Sequence, residues 1–253
     1  MLLSSSPPLS SRGKVLVDGD IVAYRAAYSS DDGNEIDTQI KIDKLIDWIV
    51  RNCCYSSEVE DFEVYLTGDG NFRYDIATSY PYKGNRSVRE KPKYLGYARW
   101  YLQDNYSAIL SSDEEADDLI GIASSVEGPS CVVASIDKDM LQLPCYHFNF
   151  RTNVWQQVSE FEGLSFFYEQ ILTGDRADNI VGLHRVGPVK AKKILAECET
   201  EEDLWNAVVE AYDGNIERVV ENARLLWLRR EEGQLWQPPQ EEPEQSKQGT
   251  GQD

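Results

Sequence analysis

The chain has 253 residues, 41% of them hydrophobic, and a formal net charge of −19. That apolar content can bury a sizeable core and excludes a chain that is disordered throughout, while no apolar run is long enough to span a membrane. Taken as an average, the acidity opposes nucleic-acid binding, because phosphate attracts Lys and Arg.

In chain order, residues 1–13 lack an apolar stretch long enough for a signal peptide and read as a disordered leader. Val15-Leu16-Val17, stopped by Asp18-Gly19, reads as a buried parallel strand. A helical pattern follows from Ile21 to Ala27, then a polar loop over 29–38, then a helix over 40–55 carried by Ile42, Leu45, Ile46 and Ile49. Phe62 to Leu66 reads as a second strand, running into Thr67-Gly68-Asp69-Gly70. Helices are predicted over 94–110 and 115–125, and a third strand over Cys131 to Ala134, ending near Ser135-Ile136-Asp137. Residues 164–235 read as mainly helical and 236–253 as a disordered polar tail. Strands alternating with helices predict an α/β fold: a central, mostly parallel sheet flanked by helices over 14–163, followed by a helical C-terminal part. The five cysteines include no C-x-x-C pair and the chain has only two histidines, which points to reduced thiols in the cytoplasm rather than a zinc site.

Four acidic clusters stand out: V-D-G-D at 17–20, E-E-A-D-D at 114–118, S-I-D-K-D at 135–139 and G-D-R-A-D-N-I at 174–180. Any one of them suits an ordinary turn or helix cap. Open parallel sheets, however, bind ligands beyond the carboxyl ends of their strands, and Asp18, Asp69 and Asp137 all fall at predicted strand ends. Carboxylates crowded into one crevice repel each other until protons or a cation neutralise them. Oxygen ligands without His or Cys select Mg²⁺ or Mn²⁺, and their number suits two ions acting on a phosphodiester.

Two basic islands interrupt the acidity. Between Arg73 and Arg99 the net charge is +5, with Lys83, Arg86, Arg89, Lys91 and Lys93 interleaved with tyrosines, a pattern that suits single-stranded nucleic acid. From Asn179 to Leu195 it is +4. There Gly187-Pro188 opens a predicted helix whose first N–H groups, with Lys190, Lys192 and Lys193 nearby, can meet a phosphate. Lys follows Pro-Val rather than the second Gly, so this is not a nucleotide-binding Walker loop.

The ordered set V-D-G-D, L-T-G-D-G-N-F-R, Y-K-G-N-R, E-A-D-D, S-I-D-K-D and G-D-x-x-D-N-I with V-G-P-x-K-A resembles the 5′-nuclease (flap endonuclease-like) superfamily, most of all the 5′→3′ exonucleases of short-tailed phages. The resemblance covers roughly residues 14–235 and implies DNA as partner: a duplex with a free 5′ end, a flap or a single strand. It implies Mg²⁺- or Mn²⁺-dependent hydrolysis with two ions, in phage replication or recombination within the host cytoplasm. Carried over by motif, the first metal site takes Asp18, Asp69, Glu115, Asp117, Asp118 and Asp137, and the second takes Asp139, Asp175 and Asp178. Asp20 falls where some relatives have an uncharged residue. Lys83 and Arg86 contact the scissile phosphate, Tyr82 stacks on a base beside the cut, and residues about 84–114 form a short arch-like segment. Residues 182–195 match a helix–three-turn–helix that grips duplex backbone, often with a monovalent cation. The rivals are a metal-dependent ribonuclease of the PIN type, which lacks the V-G-P-x-K-A element, and a DNA-binding protein that has lost catalysis.

Overall fold

The structure is a computed structural model that describes residues 2–3, 13–53, 62–85 and 90–239, the first pair by backbone alone. Arg86, Arg89 and the tail beyond Pro239 lie outside the described residues. In chain order the strands are β1 (Leu2–Leu3), β2 (Val15–Asp18), β3 (Phe62–Asp69), β4 (Ile109–Ser112), β5 (Val132–Ala134), β6 (Tyr146–Asn149), β7 (Val154–Gln157), β8 (Gly174–Asp175) and β9 (Ile180–Val181). The helices are α1 (Gly19–Ser29), α2 (Glu35–Cys53), α3 (Arg73–Ile76), α4 (Leu95–Tyr106), α5 (Ala116–Glu127), α6 (Glu160–Thr173), α7 (Pro188–Ile194), α8 (Glu201–Ala211) and α9 (Ile216–Leu226). A 3₁₀ turn spans Lys138–Gln142.

The main sheet runs β1-β7-β6-β5-β2-β3-β4, parallel from β6 through β4, with β7 and β1 added antiparallel. Strand β2 lies at its centre because Val15, Leu16 and Val17 are apolar on both faces and wholly buried. Val15 and Val17 face one core with Val22, Ile42, Ile46 and Leu102, under α1, α2 and α4. Leu16 faces the other with Ile120, Val133 and Leu143, under α5. The chain leaves β2 toward β3 on one side and pairs with β5 on the other, so the end of β2 is the switch point where a crevice opens. Gly19 lets α1 begin against β3: a Cβ there would meet the Tyr65 carbonyl oxygen at 2.5 Å. A third core joins α6, α8 and α9 through Phe167, Tyr168, Leu204, Val219 and Leu226.

Several boundaries differ from the sequence expectation. The helix expected over 94–110 stops at Tyr106, where Ser107 takes a left-handed conformation (φ 50°), and Ile109–Ser112 joins the sheet as β4. Within the expected arch-like segment, α4 packs on the core: Leu95, Ala98, Tyr101 and Leu102 are buried against α1 and α2. Strands β6 and β7 form a hairpin with no counterpart in the sequence expectation. Leu2–Leu3, expected in a disordered leader, pairs with β7. Trp236, expected in a disordered tail, is buried against Phe167 and Tyr168. Among the described residues no helix is long and apolar enough to cross a membrane.

Candidate active site

The crevice is built at strand ends. Asp18 closes β2 and caps α1, its Oδ1 accepting from the Ile21 N–H at 3.1 Å. Its Oδ2 accepts from Ser135 Oγ at 2.7 Å, just beyond β5. Burial pushes the Asp18 carboxyl up to about 7; Asp20 and Asp137 add repulsion, and the two hydrogen bonds oppose it. Asp117, on the first turn of α5, is pushed well above the carboxylate range by burial and then by Asp18, Asp137 and Glu115. Asp139, on the 3₁₀ turn, is raised to about 7 by burial, with Asp137, Asp175 and Asp178 adding and Lys138 opposing. Asp175 and Asp178 come from the β8–β9 hairpin, and the Asp175 carboxylate accepts from the Ala177 N–H at 2.6 Å. Asp137 thus faces both Asp18–Asp117 and Asp139, and ties two carboxylate groups into one site.

Lysines and a tyrosine hold the far side. Lys83 stands in the left-handed region (φ 56°), its N–H donating to the Asp178 carbonyl at 2.8 Å. Its ammonium pairs with Glu115 and lies 3.9 Å from Asp178. The Tyr82 hydroxyl lies 2.8 Å from Glu115 and 2.7 Å from Asp178. Asn85 and Asn179 cross-link this loop to the hairpin through the Arg176 and Pro81 carbonyls. Lys138 lies 3.7 Å from Asp139 and 4.0 Å from Asp175.

The structure moves other residues out of their expected roles. Tyr82 is 4% exposed, and its ring packs edge-on against Tyr74, so it presents no face for a base to stack on; Tyr80 and Tyr74 are the exposed rings beside it. Asp118 is fully buried and spends both oxygens on Arg73 and on backbone N–H groups, so it offers nothing to a metal. Asp69 is exposed, at the register shift between β3 and β4. Asp20 accepts from the Thr67 N–H at 3.0 Å and pairs with Arg99, which locks β3 to α1. Arg73 and Arg99, counted in the first basic island, are therefore structural. Lys91 and Lys93 stay exposed, with Lys93 over the Tyr94 ring.

Residues 182–195 hold one helix, α7, capped by Gly187 with Pro188 at its first position. Lys190, Lys192 and Lys193 are exposed there, with Lys192 3.9 Å from Glu169. A cleft of about 630 Å³ runs from Asp175 and Asn85 past Arg176, His184 and Arg185 to Gly187, and so joins the carboxylates to that helix. A larger cavity, about 860 Å³, lies elsewhere, between the α6 N-terminus and Trp227, Arg230 and Trp236. Lys138, Ser135 and Gln170, all touching the carboxylates, were missed from sequence. Ser135 and Lys138 leave a trace there, as the first residue and the base of S-I-D-K-D, whereas Gln170 leaves none.

Among the described residues no three His, Cys, Asp or Glu side chains sit close enough to form a ready-made metal centre. The donor set nonetheless fits a hard divalent cation in kind. It is all oxygen, and Asp18 adds its repulsion to the burial that raises Asp117.

No family model matches the chain. It is 26% identical over 213 residues to a 5′-3′ exonuclease of Buchnera aphidicola subsp. Schizaphis graminum, covering 77% of this chain and 73% of the relative. It is 25% identical over 223 residues to a 5′-3′ exonuclease of Mycoplasma genitalium, covering 76% and 74%. A flap endonuclease Xni of Shewanella piezotolerans is 27% identical over 161 residues, covering 57% and 63%. Among solved structures, T5 5′-exonuclease with zinc bound superposes with a TM-score of 0.66 at 18% identity, covering 85% of this chain and 89% of that one. The T5 D15 protein crystallised with metal ions gives 0.63 at 17% identity, with the same coverage. The chain is thus similar in sequence to 5′-3′ exonucleases and shares the fold of the T5 5′-exonuclease.

Proposed function

We propose that the chain is a metal-dependent 5′→3′ nuclease that hydrolyses DNA phosphodiester bonds. The observation that carries this reading is the convergence of carboxylates at the strand ends, where Asp137 acts on Asp18 and Asp117 on one side and on Asp139 on the other, with Lys83 paired to Glu115. Asp18, Asp117 and Asp137, with Asp139, Asp175 and Asp178, would hold two divalent ions, Mg²⁺ or Mn²⁺. When bound, such ions supply Lewis acidity toward a phosphodiester oxygen and a more acidic water.

The chain's own residues do the rest. Glu115 and the Asp178 backbone aim the Lys83 ammonium at the crevice, where it can meet a phosphate oxygen as a point charge. The buried Tyr82 hydroxyl fixes Glu115 and Asp178 relative to each other. Lys190 and Lys193, which line a neighbouring pocket that meets the 630 Å³ cleft at Gly187, hold duplex backbone without reading sequence.

The test is degradation of a 5′-labelled duplex and of a 5′-flap substrate in Mg²⁺ and in EDTA, with Asp137→Asn alongside. Cleavage should need the metal, start at the 5′ end and vanish in the variant. Undiminished cutting in EDTA or by the variant would sink the proposal, and cutting confined to RNA would favour the ribonuclease reading.

A further inference from the structure

Each acidic pair at the edge of the crevice is bridged by a lysine. Lys83 spans Glu115 and Asp178, and Lys138 spans Asp139 and Asp175. The two lysines are held differently. Lys83 is 14% exposed, fixed by a left-handed backbone and in close contact with its partner. Lys138 is 66% exposed, sits on an ordinary turn, and reaches its carboxylates at 3.7 and 4.0 Å, beyond hydrogen-bonding distance. It is a loosely held, solvated counter-charge lying between two of the acids that a divalent ion would need.

We propose that Lys138 is a placeholder cation: it neutralises the Asp139–Asp175 pair until a divalent ion displaces it, and so sets the metal affinity of that half of the site. The inference rests on the metal-dependent reading above. The geometry makes displacement easy. The lysine stem can swing into solvent, because its head makes no hydrogen bond to any described residue, whereas Asp139 is anchored by Gln170 at 2.7 Å and Asp175 by the Ala177 N–H at 2.6 Å. The carboxylates stay in position while the ammonium leaves. Its exposed ammonium reaches the largely covered carboxylates only at long range, so the lysine holds the pair without sealing it.

The experiment is titration of the full chain with Mn²⁺, counting free ion by electron paramagnetic resonance, for wild type, Lys138→Met, Lys138→Gln and Lys138→Arg. Removing the competing charge should tighten binding at the weaker site by about three- to tenfold in the Met and Gln variants, as two long-range ion pairs would suggest. Arginine should restore near-wild-type affinity. Met and Gln variants that bind Mn²⁺ no tighter than a wild type that does bind it would overturn the placeholder assignment alone. A wild type that binds no Mn²⁺ would instead overturn the metal-dependent reading beneath it.

Discussion

Arg73 and Asp118 form a two-point ion pair, with nitrogen–oxygen distances of 2.6 and 2.9 Å, inside the protein. The same guanidinium donates to the Leu225 carbonyl at 2.8 Å and to the Trp227 carbonyl at 2.9 Å. One side chain therefore ties α3 to α5 and to the end of α9. Burial opposes the charge on Asp118, but Arg73 holds its carboxyl below the ordinary range.

Removing one partner should be costly, because the other is left charged and dry. Arg73→Met is expected to lose about 3–5 kcal/mol of stability, the usual penalty for a broken buried pair. Urea denaturation of wild type and variant measures it. A loss under about 1 kcal/mol would place the pair among surface-like bridges.

Lys83→Ala should slow the chemical step more than it weakens binding. Losing one charge aimed at a reacting phosphate typically costs about 10²–10³ in rate, or roughly 2.7–4 kcal/mol. Single-turnover cleavage at saturating enzyme, beside DNA affinity in Ca²⁺, separates the two effects. A rate within threefold of wild type with affinity down tenfold would make Lys83 a binding residue only.

Acid should stabilise the protein when divalent ions are withheld. Asp18 and Asp139 are raised to about 7 in the fold, above the ordinary carboxylate value of the unfolded chain. Between those values the folded state binds more protons than the unfolded one, so stability falls as pH rises and is lost once pH passes about 7. In EDTA the melting temperature should drop between about pH 5 and about pH 8. Mg²⁺ at the higher pH should raise it again by mass action, more than NaCl of equal ionic strength does. A flat profile in EDTA would show that burial and mutual repulsion do not hold Asp18 and Asp139 above the ordinary carboxylate range.

Replacing Lys190 and Lys193 together with Ala should weaken duplex binding equally for all sequences, since phosphate contacts carry no sequence information. The log–log salt slope should flatten by about 0.9 for each phosphate no longer neutralised. An unchanged slope would move the duplex track away from α7.

The central strand, its flanking helices and the strand-end carboxylates were legible because each leaves a local signature: an apolar run, a 3.6-residue period, an Asp-Gly stop. What escaped was settled by tertiary partners. Asp117 and Asp118 are neighbours in one motif, yet one faces the crevice and the other faces Arg73, which lies 45 residues away. Tyr82 reads as a loop aromatic, but its ring belongs to the core beneath α6 and α9, which the sequence does not show to lie there. Strand β4 reads as the end of a helix because Ile109 and Leu110 continue an apolar pattern; the left-handed turn at Ser107 and the pairing with β3 break it.

Asp137 is felt by the Asp18–Asp117 side and by Asp139 alike. Positive charge taken up on one side, whether a proton or an ion, therefore lessens the attraction that the other side exerts. If both halves take up an ion, as proposed above, they are expected to fill one after the other rather than together, and a Mn²⁺ binding curve that sums over both should rise with a Hill coefficient below one.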